Sequence, residues 1–375
     1  MSLSGVLHLQ SHDRRRMYYW VGTFSCVVGF LLLIVLLLKN VLRDQRVVPS
    51  FIAGYCAIFA TILSLFQILE HLVCFSDPEC QMKVVRILFM VPLYAMISWI
   101  CILAPNAAEY LNLIRDAYES YAIYAFFQLM LALMGGVDTV YRTLMLEERP
   151  PIQHFFPFCW MEPVKVSPTF VRNCRLCLFQ FMVVKPLVTM VVIILTAKNE
   201  MGSILDVSKG SFWTTLVYNA SITIAFTALV YFYTGLKEYM EGTNAFMKFL
   251  CIKVVVFLSF WQGILIQLLS ATHMLPSFQY WSEDRVSEGL QDLLICVEML
   301  FVAFAHRYCF GSDAYAPASV VTMEEGVEDA LDPEGPVPAQ LRTIPPIRYS
   351  VVANLKYTLK HEDIIHDLKA IVRDR

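Results

Sequence analysis

Four residues in strongly apolar surroundings carry the chemical argument: Lys185, Glu298, Gln128 and Asn219. Each lies inside a long apolar run, where an ionisable or amide side chain is costly unless it faces a partner or a guest molecule. The chemistry within their reach is ion pairing and hydrogen bonding, which suits the holding of a polar head group. Lys185 and Glu298 have opposite charges and both fall near mid-run. They are expected to pair in a shared polar layer, with Gln128 and Asn219 at a similar level. A structural reading stands beside the binding one, since a buried ion pair also fixes helix register. Pro186, directly after Lys185, removes one backbone donor and frees a nearby carbonyl.

A second set gathers near the opposite ends of two runs: Arg115, Asp116 and Glu119, with Gln291 and Asp292. It fits either a vestibule for a polar or cationic head group or a patch of hydrated charges that compensate one another. At the other level lie Glu70, His71, Arg86, Lys248 and Lys253. Arg86 and Lys248 are long enough to snorkel to lipid head groups. Lys253 lies deeper and joins Gln262, Glu119 and Asp292 among the candidate binding residues.

Catalytic signatures are absent. Asn219-Ala220-Ser221 has the form of a glycosylation sequon but sits inside an apolar run. Cys174 and Cys177 have metal-ligand spacing without partner ligands, and S-acylation suits such cysteines better than zinc. No Ser–His–Asp set, metalloprotease motif, phosphate loop or haem motif occurs. The chain is therefore expected not to be an enzyme, with no catalytic residues, no metal and no cofactor.

The elements that must position these residues are transmembrane helices. Of the 375 residues 57% are hydrophobic and 16% charged, with a mean hydropathy of +0.57. A soluble domain carries about 25% charged residues. The excess apolar content is concentrated in runs long enough to span hydrocarbon, which takes about 20 residues. These runs are Met17–Leu38, Phe51–Cys74, Val84–Ala104, Ala117–Gly135, Leu176–Ala197, Phe212–Leu236, Phe246–Leu269 and Leu290–Tyr308. Continuous runs of this kind give helices rather than barrel strands, because a bilayer forces backbone hydrogen bonds inside each segment. The net charge of −3 excludes a basic surface for nucleic acid. Met17–Leu38 follows Arg14, Arg15 and Arg16 but has no small-residue cleavage site, so it is expected to be retained as a first helix.

With eight spans and a cytosolic N-terminus, Arg and Lys are modestly enriched on the inner side, and Cys80, Cys159, Cys174 and Cys309 all fall there. Both termini are accordingly expected in the cytosol. The loop Val137–Asn173, rich in Pro and aromatics, is expected to be irregular and to lie at the membrane interface. The segment Ala314–Pro346 is expected to be disordered. A short amphipathic helix is predicted at Leu359–Arg373, with an apolar stripe of Ile364, Ile365, Leu368, Ile371 and Val372. The organisation is then an N-terminal segment with one helix (1–50), a membrane core (51–310) and a cytosolic tail (311–375).

Six ordered blocks carry a family resemblance. They are Arg86-Ile-Leu-Phe-Met-Val-Pro-Leu-Tyr94, Arg115-Asp-Ala-Tyr-Glu-Ser-Tyr-Ala-Ile-Tyr124, Leu178-Phe-Gln-Phe-Met-Val-Val-Lys-Pro186 and Val217-Tyr-Asn-Ala-Ser221. Lys248-Phe-Leu-Cys-Ile-Lys-Val-Val-Val-Phe-Leu-Ser-Phe-Trp-Gln262 and Leu290-Gln-Asp-Leu-Leu-Ile-Cys-Val-Glu-Met299 complete the set. Together they resemble the organic solute transporter subunit alpha family, and within it the transmembrane protein 184 branch. His361-Glu-Asp-Ile-Ile-His-Asp-Leu368 in the tail is similar to that branch too. The resemblance implies an all-α integral membrane fold: a seven-helix core bundle plus one extra N-terminal transmembrane helix.

In the transporter branch the resemblance also implies movement of steroid-like amphipathic anions with a small single-span partner. Two departures stand out. Only Cys159 lies in the loop where the transporter subunit has a cysteine cluster, with Cys174 at its far edge, and Ala125 stands where the related branch usually has Asn. The leading expectation is a protein that moves or binds amphipathic organic or lipid-like solutes, in contact with membrane lipids. A single-span partner or a homo-oligomer is expected, and no nucleic acid. The alternative is an endosomal or vacuolar receptor or trafficking scaffold whose tail recruits a cytosolic adaptor. The plasma membrane and the endosomal or lysosomal-vacuolar membranes are the expected locations.

Overall fold

The computed structural model describes residues 47–147, 149–153, 162–198, 200, 206–240, 243–252, 262, 265–266, 269, 283–315 and 351–359. Nine helices are followed among them: α1 (Val47–Val73), α2 (Pro78–Leu88), α3 (Met90–Leu103), α4 (Ala108–Leu133), α5 (Val137–Leu146), α6 (Pro168–Ala197), α7 (Gly210–Leu236), α8 (Glu283–Cys309) and α9 (Val351–Leu359). Five helical spans are long and apolar enough to cross a membrane, or six if α4 and α5 make one bent span. The membrane-helix expectation holds. Met17–Leu38 lies outside the described residues, and Phe246–Leu269 mostly does.

The helices run past the apolar runs because hydropathy marks the hydrocarbon depth, whereas caps mark the helix ends. Asp77 accepts a hydrogen bond from Cys80 N (3.1 Å), with Pro78 in the first helical position. Ser167 does the same for Phe170 N (3.3 Å), ahead of Pro168. Both arrangements satisfy amides that a helix start otherwise leaves without partners. Between α4 and α5 the chain bends by 59°. Gly135 and Gly136 take φ of +87° and +89° there, a region that costs a side-chain-bearing residue about 1–2 kcal/mol.

One part of the expected layout is corrected. Val137–Asn173 is not irregular throughout: α5 occupies Val137–Leu146, α6 begins at Pro168, and Ile152 and Val164 form an isolated antiparallel bridge. Both helices have local start signals, the glycine turn and the Ser167-Pro168 cap, which the Pro-rich composition of the loop obscures. In the tail, the helix found is Val351–Leu359. The predicted Leu359–Arg373 helix and nearly all of Ala314–Pro346 lie outside the described residues.

Packing sorts the helices into two groups. α1, α3 and α8 share a core of Ala53, Ala57, Tyr94, Cys296 and Met299. α4, α6 and α7 enclose a larger one with Phe127, Phe181 and Phe232 at its centre. α4 joins the groups by packing on both α2 and α3. Gly54 lets α1 approach α3 closely, since a Cβ there would stand 2.7 Å from the Trp99 ring. α6 and α7 turn much of their surface outward, with Leu187, Met190, Ile194, Leu216 and Ile224 exposed. That apolar surface is where hydrocarbon would lie.

Candidate functional site

Neighbouring helices of the bundle run up and down, so residues far apart in sequence meet at two levels. One level is near the Pro105 end and the other near the Phe310 end. The candidate site belongs to the first.

Lys185 is its centre. Pro186 denies the Met182 carbonyl its helical donor, and Ser120 Oγ of α4 approaches that oxygen at 3.4 Å. The freed carbonyl expected from the sequence is thus used to tie α6 to α4. Lys185 Nζ then lies 2.7 Å from Glu119 Oε2 and 3.5 Å from Asp116 Oδ1. It also sits 5.1 Å from the centroid of the Tyr218 ring on α7, a cation–π approach. Thr189, one turn beyond Lys185, donates to Asp116 Oδ2 (2.9 Å). The side chain of Lys185 is 6% exposed and that of Glu119 11%. At such burial an ammonium persists only because carboxylates face it.

The cluster continues into the other helix group. Tyr94 of α3 donates to Glu119 Oε2 (2.7 Å), so this one oxygen serves two donors. Arg115 donates to Asp292 Oδ1 of α8 (3.2 Å) and to Ser98 Oγ (3.1 Å). Two cations, Lys185 and Arg115, face three carboxylates, Asp116, Glu119 and Asp292, and the unit carries a formal excess of one negative charge. The spacings are helical: Tyr94 with Ser98, Asp116 with Glu119, and Lys185 with Thr189 each occupy one face of a helix.

This geometry corrects the predicted pairing of Lys185 with Glu298. α6 packs on α4 and α7, whereas α8 packs on α1 and α3, so the two residues belong to different helix groups. Glu298 accepts instead from Gln262 Nε2, and its Oε2 has no partner among the described residues. The mid-membrane layer and the vestibule expected from the sequence are rearranged: Lys185 joins Glu119 and Asp292, while Glu298 with Gln262 forms a separate pair. Asn219 turns away and donates to Thr215 O of its own helix (2.8 Å), leaving Tyr218 to face Lys185. Gln128 is buried nine residues beyond Glu119, about 13 Å along α4. Lys253 lies outside the described residues.

Sequence reasoning missed Tyr94, Ser98, Thr189 and Tyr218. The i, i+4 spacing of the first two was a usable signal. It also missed Gln180 and Ser221, which exchange hydrogen bonds across α6 and α7: Gln180 Nε2 to Ser221 O at 3.0 Å, and Ser221 Oγ to Gln180 Oε1 at 2.9 Å.

The Phe310 end is built differently. Gln67 Nε2 donates to both His306 O and Phe310 O, each at 2.9 Å, and His71 Nε2 donates to Phe310 O at 2.9 Å. Gln81 Nε2 donates to Cys74 O (2.6 Å), and Glu70 pairs with Arg307. Beyond the helices, Arg149 binds Glu238, Glu147 and the Tyr239 hydroxyl and stacks on the Tyr239 ring. The Tyr239 hydroxyl and then Arg149 hold the Glu147 carboxyl below its ordinary pKa, and the hydrogen bond that Arg149 donates to Glu238 leads those that raise the pKa of Arg149. No group of three or more His, Cys, Asp or Glu suited to a metal ion occurs among the described residues.

The chemistry open to the arrangement at the Pro105 end is ion pairing and hydrogen bonding. The family model described as Organic solute transporter Ostalpha matches residues 49–315, well over half of the chain and all of this cluster. No solved structure matches the chain.

Proposed function

Since the chain belongs to the organic solute transporter Ostalpha family, we propose that this multi-pass membrane protein moves or binds amphipathic organic solutes, with the Lys185 cluster holding the polar end of the solute. The observation that carries this reading is the buried network Lys185–Glu119–Tyr94, which lies between two helix groups and is made of side chains alone. A solute that offers a new partner to Lys185 or Glu119 need only displace a side chain, and no helix has to unwind. The apolar surfaces of α4 and α7 beside the cluster suit the body of such a solute.

The excess carboxylate sets a charge preference. A cationic or hydrogen-bond-donating head group meets a site already one negative charge in surplus. An anion must displace Glu119 or Asp116 from Lys185, or arrive with a proton or cation. We further propose a core of seven crossings. Met247 O lies 3.7 Å from Cys309 Sγ at the Phe310 end, whereas Glu283 opens α8 at the other. That difference in level between Met247 and Glu283 supports counting one further crossing.

Uptake into proteoliposomes tests the function. Purified protein is reconstituted and offered amphipathic cations, anions and neutral sterol-like compounds. The expected result is saturable uptake of at least one class, lost in Lys185→Met protein that still elutes as a folded species. Absence of flux and of binding for every class would overturn the reading. So would undiminished uptake by Lys185→Met, which would move the site elsewhere.

A further inference from the structure

Helix α9 is turned inside out relative to a surface helix of a soluble protein. Its buried residues are polar, Asn354 and Thr358, each 2% exposed. Its apolar residues Val352, Leu355 and Leu359 are 74%, 39% and 64% exposed and fall at i, i+3 and i+7, on one stripe. Lys356 stands exposed beside that stripe.

The polar face is where the helix is fastened. Asn354 Nδ2 donates to Leu72 O (2.8 Å), in the last turn of α1. Arg86 Nε donates to Thr358 O (3.0 Å), placing a guanidinium at the carbonyl end of the helix, where a cation is favoured. The Tyr357 ring packs edge-on against Phe75, 6.3 Å between centroids. Leu72 and Arg86 both lie within membrane-crossing segments, Pro49–Val73 and Pro78–Leu103. Arg86 is two residues inside the apolar run Val84–Ala104 of the second, about 3 Å along its axis and so at the edge of the hydrocarbon. A helix tied to both points is held at the membrane interface beside the spans, with its free stripe on the side where acyl chains begin.

We propose that α9 is a membrane-interface helix of the tail, latched to α1 and α2 through its polar face. Its Val352–Leu355–Leu359 stripe lies among the acyl chains of the leaflet at the Phe310 end. The occupant is lipid because the two anchors sit inside the spans and because Lys356, next to the stripe, can reach the phosphate level. Arg86, which the sequence assigned to lipid head groups, serves instead to cap this helix. The inference is independent of what the protein carries.

Fluorescence quenching tests it on the full-length chain. An environment-sensitive fluorescent amino acid replaces Leu355 in one variant and Leu359 in another, so that one misfolded substitution does not decide the outcome. Each is reconstituted in phosphatidylcholine vesicles, with and without lipid brominated high on its acyl chains. The expected result is that brominated lipid lowers emission by about half or more while aqueous iodide has little effect. Strong iodide quenching with no effect of brominated lipid would place the stripe in water and overturn the proposal. Emission insensitive to both would show that protein, such as a second copy of the chain, covers it, and would overturn it equally.

Discussion

The two ends of the bundle solve the same problem, polar groups inside an apolar protein, in opposite ways. At the Pro105 end the contacts run from side chain to side chain across different helices: Tyr94 to Glu119, Arg115 to Asp292 and Ser98, Lys185 to Glu119 and Asp116. At the Phe310 end most run from side chain to backbone carbonyl: Gln67 to His306 and Phe310, His71 to Phe310, Asn354 to Leu72, Arg86 to Thr358. A carbonyl moves only with its helix, so the second pattern fixes helices in place. A side-chain partner changes by rotation about its own bonds, so the first pattern can open for a guest. On the proposed function, the first end is the part that binds and the second the part that holds shape.

The contrast is broken most severely by Lys185→Met. It leaves the buried Glu119 and the half-buried Asp116 beside a methyl group, and a loss of about 3–5 kcal/mol is expected from removing one partner of the buried Lys185–Glu119 pair. Thermal unfolding in detergent should show it as a large drop in midpoint, and near-wild-type stability would mean that the cluster is well hydrated. Next in size is Gln67→Leu at the other end, which removes one of two donors from each of the His306 and Phe310 carbonyls, leaving the Phe310 amide and His71, and should cost about 0.5–1.5 kcal/mol per lost hydrogen bond. Its uptake per folded molecule should stay close to wild type. A selective loss of uptake there would erase the division between the two ends.

Asp116→Asn sharpens the comparison. It brings the cluster to charge balance while Glu119 still holds Lys185, so the ratio of anion to cation uptake should rise by up to about tenfold, equivalent to about 1.4 kcal/mol. An unchanged ratio would separate the charge preference from this site. The smallest effect concerns Glu147 and Arg149, which lie outside the spans and meet Tyr239 at the end of one. Because Glu147 titrates below its ordinary value in the folded protein, its contribution is complete above the unfolded-chain pKa of about 4.3 and fades as pH falls through the folded value. Glu147→Gln should therefore reduce stability slightly at neutral pH and flatten the decline on acidification. Parallel decline of both proteins would remove Glu147 from the account.

The helices were legible because hydrocarbon demands long apolar runs. Six of the runs fall on described helices, although their caps, such as Ser167-Pro168, extend them beyond the apolar stretch. The identities of the charged residues were legible as well, since Lys185, Glu119 and Asp292 stand out against apolar neighbours. Their partners were not. Counting residues from span ends gives an approximate depth but not azimuth, and Lys185 and Glu298, both near mid-run by that count, belong to different helix groups. Asn219 and Tyr218 show the same limit, one residue and about 100° apart around a helix. The fastening of α9 was hidden for another reason: Asn354 and Thr358 are the kind of residue that normally marks an exposed face, and only the contacts with Leu72 and Arg86 reveal their inward role.

The most direct measurement is a double-mutant cycle on Lys185 and Glu119, with Lys185→Met and Glu119→Gln made singly and together and read by thermal unfolding. The side-chain exchange described here predicts strong coupling, about 1.5–3 kcal/mol, with the double variant more stable than Lys185→Met alone. Additive losses would mean that the two groups do not face one another, and they would contradict the cluster on which the transport reading stands.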